Sequence, residues 1–367
     1  MNELEKAREQ INEIDRQMAA LFEKRMEAVG RVAAYKQQHG LRVFDQAREA
    51  EVIEQNAARI TKEELRSHYI RFLQNNMEIS KAYQHRLLEG MRVAYSGVTG
   101  AFANIAANRI FPDAAALPYP DFKAAYDAVV NGDCDCAVLP VENSNNGDVG
   151  QVMDLAFFGP LFINGIYELE IVQNLLAVKG TTMDEIKTVI SHAQALGQCA
   201  PYIRKHGFKA VEEVNTAVAA KRVAEAGRHD LAAIGSEEAA KQFGLKKLEA
   251  HINEKSGNTT RFAVFSRVGK NPSLQDDRFI LLFTVSNEAG ALSAAIAAIG
   301  RYGFNMRALK SRPTKELTWN YYFYAEAEGN IHSERGEAML AELRKNCRSV
   351  RVVGSFEKEI MLHEDSE

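Results

Sequence analysis

Residues 2–38 read NELEKAREQINEIDRQMAALFEKRMEAVGRVAAYKQQ, and this stretch decides the fold of the first section of the chain. One stripe within it steps by three and four residues. Its members are Arg8, Ile11, Asp15, Met18, Phe22, Arg25, Val29, Val32 and Lys36. A heptad stripe of this kind predicts a long helix that packs along one face. Asn2 and Glu5 have the spacing of a capping box, so we expect the helix to begin there.

Four of the nine stripe residues carry a charge. Burying cations in an apolar seam is costly unless an anion is bound, so the stripe predicts either a dianionic ligand or an ordinary coiled-coil packing face. At about 1.5 Å rise per residue, Arg25 and Lys36 lie about 16 Å apart along the axis and can flank one small molecule. Arg8 lies about 42 Å from Lys36, so if all three cations serve equivalent sites, Arg8 must come from a second, antiparallel copy. The spacing therefore predicts an obligate dimer.

The rest of the first section, residues 1–90, is also predicted to be helical. It contains no proline before Gly90, and its only earlier glycines are Gly30 and Gly40. Gly40 marks a break, because glycine is common just after a helix end. A shorter helix is expected near residues 45–58. Thr61 and Glu64 predict a second capping box, for a helix that continues to about Leu88.

From Met91 onward, short β-rich runs alternate with helical ones. The runs are residues 92–95, 136–140, 175–178, 188–190 and 231–234. This alternation predicts an α/β domain with a mostly parallel sheet that ends near Phe265. Residues 270–275 are interpreted as a linker.

The last section is predicted to have the element order βαββαβ. The expected strands are 279–285, 306–310, 321–327 and 350–353, and the expected helices are 291–302 and 334–346. This order is the ferredoxin-like arrangement, an α+β fold that by itself proves no function.

Composition excludes several classes of function. The chain has 367 residues and a net charge of −4, so we expect several domains and no nucleic-acid partner. Its four cysteines form no CxxC pair, which argues against a zinc site and against a disulfide framework. The start shows no basic segment followed by an apolar one, and no apolar run is long enough to span a membrane. We therefore expect a cytoplasmic protein without metal or cofactor.

Four short motifs in the first section resemble the all-helical chorismate mutases. They are residues 7–15, 24–25, 35–36 and 45–49. The resemblance implies that the substrate is held by Arg8, Arg25, Lys36, Asp45, Arg48, Glu49, Ser80 and Gln84. Lys36 and Gln84 would face the ether oxygen of chorismate, where negative charge develops. The rearrangement is pericyclic, so orientation and charge suffice.

Four motifs of the α/β section are SGVTGAF (96–102), PVENSNNG (140–147), SHAQALGQC (191–199) and NTTRF (258–262). Each is weak alone, but in this order they resemble the prephenate dehydratases, which implies a cleft between two α/β lobes. Thr260 carries over as the catalytic residue. Its companions would be Asn143, Ser144, Ser191, Gln198 and Arg261. Ala101 and Ala103 depart from that family, where a hydroxyl residue is common in the first motif.

Residues 287–293 and 310–313 resemble the ACT domains that accompany prephenate dehydratases. The resemblance implies a phenylalanine site. Its residues would be Gly290, Ala291, Leu292, Ser311 and Arg312. Lys310 stands where that family usually has glutamate, so a domain that only mediates dimerisation stays open as an alternative.

The sequence thus predicts a multidomain protein: an all-α chorismate mutase domain (1–90), a two-lobed α/β prephenate dehydratase domain (91–269) and an ACT regulatory domain (277–360). Chorismate would become prephenate, and prephenate would become phenylpyruvate with loss of CO2 and water, in a homodimer or larger homo-oligomer that phenylalanine inhibits. Two alternatives remain. One is arogenate dehydratase activity, and the other is a non-catalytic, two-lobed amino-acid-binding protein with a helical dimerisation hairpin.

Overall fold

A computed structural model describes residues 2–41, 43, 45–254, 257–314 and 321–363, without the side chains of residues 46 and 47. The chain divides into two compact units, Met1–Arg92 and Val93–Glu367. The predicted boundary between an α/β domain and a last domain falls inside the second unit and stays a prediction.

In the residues that the structure describes, the first unit contains three helices, α1 (Glu3–His39), α2 (Gln46–Ala57) and α3 (Glu63–Glu89). The predicted capping box is confirmed, because Glu5 N donates to Asn2 Oδ1 at 2.8 Å and Asn2 N donates to Glu5 Oε2 at 2.7 Å. Helix α1 ends at Gly40, whose φ of 64° lies in the left-handed region that favours glycine.

The predicted capping box at Thr61 is wrong. Helix α3 begins at Glu63, and its N-cap is Lys62, which makes no side-chain capping bond. Glu63 and Glu64 instead place negative charge in the first turn. Carboxylates there are favourable because the helix N-terminus carries partial positive charge.

The second unit contains the remaining elements. Its helices are α4 (Phe102–Ile110), α5 (Phe122–Asn131), α6 (Gly150–Phe158), α7 (Ala193–Gln198), α8 (Ala200–His206), α9 (Thr216–Ala226), α10 (Glu237–Phe243), α11 (Ala291–Arg301) and α12 (Glu334–Asn346). Its strands are β1 (Arg92–Ser96), β2 (Ala115–Tyr119), β3 (Cys136–Asn143), β4 (Gly147–Asp148), β5 (Phe162–Glu170), β6 (Asn174–Ala177), β7 (Thr188–Ser191), β8 (Lys209–Glu212), β9 (Leu231–Gly235), β10 (Lys246–Glu249), β11 (Thr259–Ser266), β12 (Arg278–Thr284), β13 (Asn305–Pro313), β14 (Tyr321–Glu328), β15 (Ser349–Phe356) and β16 (Ile360–Leu362).

Two sheets form the two lobes of the α/β section. The first has the order β16-β5-β11-β3-β1-β2, with β4 beside β3, and the second has the order β10-β6-β9-β7-β8. The prediction of a mostly parallel sheet is wrong, because β11 runs antiparallel to both β3 and β5, and β6 runs antiparallel to both β9 and β10. The chain crosses to the second lobe after β5 and returns to the first lobe in β11. The first strand after each crossing, β6 or β11, runs antiparallel to both of its neighbours.

The third sheet has the order β13-β14-β12-β15 and follows the predicted βαββαβ sequence of elements. Helices α11 and α12 cover one face, where Phe279 and Leu281 pack against Ala295 and Met339. The other face packs against the first lobe. Its residues Ile280, Leu282, Tyr322 and Tyr324 share a core with Ile163 and Phe265.

The chain end returns to the first lobe, which sequence reasoning did not predict. Strand β16 pairs in parallel with β5, so that Ile360 lies opposite Tyr167 and Leu362 lies opposite Leu169. Three residues are too few for a periodic pattern.

Candidate active sites

The first candidate site lies between α1 and α3. Arg25 Nη1 donates to Ser80 Oγ and, at 3.4 Å, to the carbonyl of Asn76. Ser80 and Gln84 are 6% and 7% exposed, because they lie one turn apart on the buried face of α3. Within the described residues Gln84 Oε1 accepts no hydrogen bond. The structure therefore brings Arg25, Ser80 and Gln84 together and leaves a buried acceptor there.

The other predicted mutase residues hold local partners. Lys36 Nζ donates to the carbonyl of Val43 at 2.6 Å, and Glu49 pairs with Lys81 at 3.0 Å. Asp45 is the N-cap of α2 and accepts from the backbone N–H of Arg48 at 3.0 Å. The Arg48 guanidinium pairs with Glu51 at 2.6 Å.

Arg8 is not part of this cluster. It is exposed on α1, 17 positions before Arg25 and therefore about 26 Å away along the axis. The same helix exposes a row of large apolar side chains. They are Leu4, Ile11, Ile14, Met18, Leu21, Phe22, Val32 and Tyr35.

The second candidate site is a cleft of about 270 Å³ between the two lobes. Its lining includes Pro140, Asn143, Thr260 and Phe262 of the first lobe and His192, Gln194, Gln198 and Thr216 of the second. In the described part of the chain, none of the lining residues is Lys, Arg, Asp or Glu. The lining combines amide, hydroxyl and imidazole groups with apolar side chains.

Asn143 and Thr260 form the polar centre of this cleft. They lie opposite each other in the β3/β11 ladder, and Asn143 Nδ2 donates to Thr260 Oγ1 at 2.9 Å. The same amide nitrogen contacts Asn258 Oδ1 at 2.8 Å, and Asn258 Nδ2 donates to Gln198 Oε1 at 3.1 Å. A chain of amides thus connects the second lobe to the Thr260 hydroxyl. Because Thr260 Oγ1 accepts the hydrogen bond from Asn143, the hydroxyl proton of Thr260 can point to a ligand.

Two helices begin at the cleft. Helix α4 starts at Phe102 after Ala101, which makes no side-chain capping bond, and Ala101, Phe102 and Ala103 all line the cleft. Helix α9 starts at Thr216 after Asn215, and both residues line it as well. Helix N-termini present backbone N–H groups and partial positive charge, so they suit carboxylate groups.

Two family models match this chain, chorismate mutase type II over residues 7–85 and prephenate dehydratase over residues 93–270. The bifunctional chorismate mutase/prephenate dehydratase of Escherichia coli (strain K12) is 31% identical over an alignment that covers 98% of this chain and 97% of that protein. The chain belongs to the bifunctional chorismate mutase/prephenate dehydratases. It is therefore an enzyme, and the non-catalytic binding protein considered above is set aside.

Two further relatives cover the part of the chain after the mutase section. The arogenate dehydratase/prephenate dehydratase 2 of Arabidopsis thaliana is 32% identical, with 72% of each chain covered. The solved prephenate dehydratase of Arthrobacter aurescens in complex with L-Phe is 27% identical, with a TM-score of 0.68 over 73% of this chain and 90% of that one. The two-lobed fold of the second unit is thus that of a prephenate dehydratase.

Three predicted dehydratase residues lie outside the cleft lining. Ser191 is fully buried, and its hydroxyl donates to the carbonyl of Ile234 at 2.6 Å. The Ser144 hydroxyl donates to the carbonyl of Gly257 at 3.2 Å and accepts from Thr259 N at 3.0 Å. These three hydrogen bonds fix backbone beside the site.

The prediction for Arg261 is corrected by the structure. Side chains alternate between the two faces of a strand, so Arg261 points away from the cleft that its neighbour Thr260 lines. Its guanidinium instead contacts Glu142, Glu326 and Glu359. Burial lowers the pKa of Arg261, but the contacts with Glu326 and Glu142 outweigh it and raise that pKa above its ordinary value.

Sequence reasoning missed several cleft residues, of which Gln173 is the clearest. It is 2% exposed and lines the cleft, and its Oε1 has no partner among the described residues. Asn215 and His192 also line the cleft. A usable signal was available for His192, which closely follows the predicted strand 188–190. Gln173 and Asn215 follow β5 and β8, two strands that the sequence did not predict.

In the last section, the predicted phenylalanine residues fall on two faces. Gly290 precedes α11 with φ of 86°, and Ala291 and Leu292 form the first turn, as the sequence predicts. Ser311 is exposed on β13. Arg312 lies on the opposite face, where Nε and Nη2 pair with Asp154 of the first lobe at 2.7 and 2.9 Å. The structure therefore separates Arg312 from the other four residues.

Lys310 also faces the first lobe. Its ammonium contacts Glu142 at 3.0 Å and Asp148. Because glutamate at this position would meet two carboxylates, the lysine found here fits its surroundings.

None of the helices in the described ranges combines the length and the apolar composition that a membrane span needs.

Proposed function

We propose that the helical unit rearranges chorismate to prephenate, and that the cleft of the second unit converts prephenate to phenylpyruvate with loss of CO2 and water. Phenylalanine regulates the second reaction from the last section. The observation that carries the proposal is the Asn143–Thr260 hydrogen bond in a cleft whose lining contains no Lys, Arg, Asp or Glu. The division into domains 1–90, 91–269 and 277–360 follows this assignment.

The mutase proposal rests on the Arg25–Ser80–Gln84 cluster. Arg25 binds a substrate carboxylate, and Lys36 with Gln84 faces the ether oxygen on which negative charge develops. When the substrate binds, the Lys36 ammonium releases the carbonyl of Val43 and contacts the substrate instead. Arg8, Asp45, Arg48 and Glu49 complete the site as the family resemblance implies.

Arg8 reaches that site from a second copy, so we propose a homodimer or a larger homo-oligomer. The apolar row on α1 supports a partner, since Ile11 and Leu21 are 56% and 63% exposed. A row of this size on a three-helix unit is typical of an interface.

In the dehydratase cleft, Thr260 donates a hydrogen bond to the departing hydroxyl of prephenate. Asn143 donates to the threonine oxygen and fixes the direction of its O–H group. The N-termini of α4 and α9 bind carboxylate through backbone N–H groups. Backbone donors hold a carboxylate less strongly than an arginine would, which suits a carboxylate that must leave as CO2.

Phenylalanine binds at the N-terminus of α11, with its carboxylate near the backbone N–H groups of Ala291 and Leu292. The solved relative with L-Phe supports an effector of this kind. The enzyme is cytoplasmic, which is supported by four cysteines that form no disulfide among the described residues, three of them buried.

The test is to supply chorismate, prephenate and arogenate separately to the purified chain. We expect prephenate from chorismate and phenylpyruvate from prephenate. A higher kcat/KM for arogenate would assign the cleft to the aminated substrate, which the name of the Arabidopsis relative includes. Failure of all three substrates to react would contradict the proposal.

A further inference from the structure

An ionic cluster lies directly behind the catalytic pair. In the β3/β11 ladder Thr260 pairs with Asn143, and the next residues, Arg261 and Glu142, pair with each other. The first two side chains face the cleft, and the second two face the opposite side. Arg261 Nη1 and Glu142 Oε2 are 3.0 Å apart. Each catalytic residue is thus adjacent in the chain to one half of an ion pair.

The ladder is irregular at this point. Arg261 lies opposite Glu142, but Phe262 lies opposite Pro140, so Val141 is an extra residue in β3. Such a bulge leaves one residue unpaired and re-aims the side chains beside it. The position of Asn143 relative to Thr260 therefore depends on what holds this bulge, and the Arg261–Glu142 pair spans it.

Arg261 is held by carboxylates from three parts of the chain. Besides Glu142 it contacts Glu326 of β14, which is 1% exposed, and Glu359, whose Oε1 is 3.0 Å from Nη2. Glu168 of β5 is farther away, at 3.9 Å from Nε. The guanidinium itself is 16% exposed, so solvent screens these contacts only partly.

Glu359 is the member of this cluster that sequence reasoning gave no role. Its side chain is 9% exposed and lies among three arginines. Arg307 Nη1 is 2.8 Å from both of its oxygens, Arg261 is at 3.0 Å, and Arg278 Nε is at 3.5 Å. A buried carboxylate is costly unless it is paired in this way, and removing it leaves three guanidinium groups without their shared anion.

Strand β16 fixes Glu359 from the other side. Met361 lies opposite Glu168 of β5, and Glu168 lies opposite Arg261 of β11, so the chain end reaches the catalytic strand through one intervening strand. The carbonyl of Leu362 also accepts from Arg109 Nη1 at 3.5 Å. We name residues 359–362 the C-terminal clasp.

We propose that Glu359 is a positioning residue for the dehydratase reaction, and that the C-terminal clasp sets the geometry of Asn143 and Thr260 through Arg261. The carboxylate neutralises the arginines and holds Arg261 against Glu142, which fixes the bulge. A cluster that served stability alone would not require charge, since replacing a whole buried ion cluster by apolar residues of similar volume is often neutral or stabilising. This inference rests on the dehydratase assignment.

The test compares Glu359→Gln with Glu357→Gln in the full-length chain. Glu357 lies two residues away, is half exposed and pairs only loosely with Lys270 at 3.6 Å, so it is the matched control. Glutamine keeps the shape of Glu359 but removes its charge. We expect kcat for prephenate to fall by about 10- to 100-fold, as for a small misplacement of catalytic groups, with KM within about twofold. Chorismate turnover should be unchanged in the same samples, since Glu359 lies outside the helical unit.

A double-mutant cycle distinguishes positioning from general stability. If Glu359 acts through Arg261, Glu359→Gln should cause little further loss in an Arg261→Gln background. Additive losses would overturn the proposal, as would wild-type kcat in a folded Glu359→Gln protein. If Glu359→Gln does not fold, Arg307→Gln removes one partner of the same carboxylate from a more exposed position, and unchanged kcat in that variant would equally overturn it.

Hydrogen exchange separates this proposal from the dehydratase assignment. Glu359→Gln should accelerate amide exchange in residues 259–262, and Glu357→Gln should not. This readout requires no turnover, so an inactive wild type would refute the assignment while exchange still tests the clasp. Equal exchange in all three proteins would refute the clasp even if prephenate turnover is normal.

Discussion

Asn143 Nδ2 lies 2.9 Å from Thr260 Oγ1 and donates a hydrogen bond to it. The direction of this bond is fixed, because Asn143 Oδ1 accepts from the backbone N–H groups of Asn145 and Asn146, each at 3.1 Å. The amide nitrogen must therefore face Thr260. A threonine oxygen that accepts in the ladder has its own proton available for a ligand, which makes it a donor to the cleft.

Thr260→Val tests this donor. Valine keeps the β-branched shape and removes the hydroxyl, and one preorganised donor contributes about 10²- to 10³-fold in rate. We expect prephenate turnover to fall by that factor and chorismate turnover to stay constant. Thr259→Val, on the other face of β11, is the matched control. Normal prephenate turnover in Thr260→Val would remove the residue from the mechanism.

Lys36→Ala tests the mutase site in the same way. If Lys36 faces the ether oxygen as we propose, its loss should lower chorismate turnover by about 10²- to 10³-fold. Prephenate turnover reports on the intact second unit and should persist. Lys62→Ala, an exposed cation without a side-chain capping bond, is the control. Equal losses of both activities would indicate unfolding instead.

The dimer prediction is tested by Arg8→Ala and by a fragment of residues 1–90. We expect the fragment to be a dimeric mutase without dehydratase activity. Arg8→Ala should lose chorismate turnover although Arg8 is distant from Arg25 on its own helix. Sedimentation at several concentrations gives the oligomeric state. A monomeric fragment with full mutase activity would contradict a shared site.

Periodic patterns and local motifs account for what sequence could predict. The stripe from Arg8 to Lys36 became one helix, and the βαββαβ order of the last section was correct. Motifs also located Asn143, Gln198 and Thr260 at one cleft, because their order carries information that each lacks alone.

The failures concern side-chain direction and contacts distant in sequence. Arg261 was assigned to the site because it adjoins Thr260, but alternation along the strand sends it to the other face. The partners of Lys310 and Arg312 lie more than 150 positions earlier in the chain. No local pattern encodes such pairs. The sequence analysis missed β16 and Glu359 for the same reason, because their partners are also distant in the chain.

The ionic cluster predicts how stability depends on pH. Burial raises the pKa values of Glu142 and Glu359, but other contacts outweigh burial and hold both below their ordinary value of 4.5. Lys310 and Arg261 lower the pKa of Glu142, and a hydrogen bond from its own backbone N–H, together with Arg307 and Arg261, lowers that of Glu359. A carboxyl whose folded pKa is lowered contributes stability that is complete above the unfolded pKa and is lost as pH falls through the folded pKa.

The second unit should therefore lose stability as pH falls below about 4.5. Glu359→Gln lacks one of these carboxyls and should show a shallower dependence there. The measurement is the free energy of unfolding of the second unit from denaturant titrations at a series of pH values. Parallel curves for wild type and Glu359→Gln would show that this carboxyl titrates normally.

The last prediction concerns phenylalanine. Lys310 joins β13 to Glu142, the residue before Asn143, so a ligand that shifts the last sheet changes the contacts behind the cleft. Lys310→Met removes the ammonium and leaves the donors at the start of α11 intact. We expect phenylalanine still to bind, but its half-inhibitory concentration for prephenate turnover to rise.

Phenylalanine can inhibit only if it binds one state of the enzyme better than the other. By linkage, a prephenate analogue must then weaken phenylalanine binding by the same factor. Calorimetry on the wild type and on Lys310→Met measures phenylalanine binding with and without the prephenate analogue. Assays of prephenate turnover give the half-inhibitory concentration. Absence of phenylalanine binding to the wild type would leave the last section as a dimerisation module.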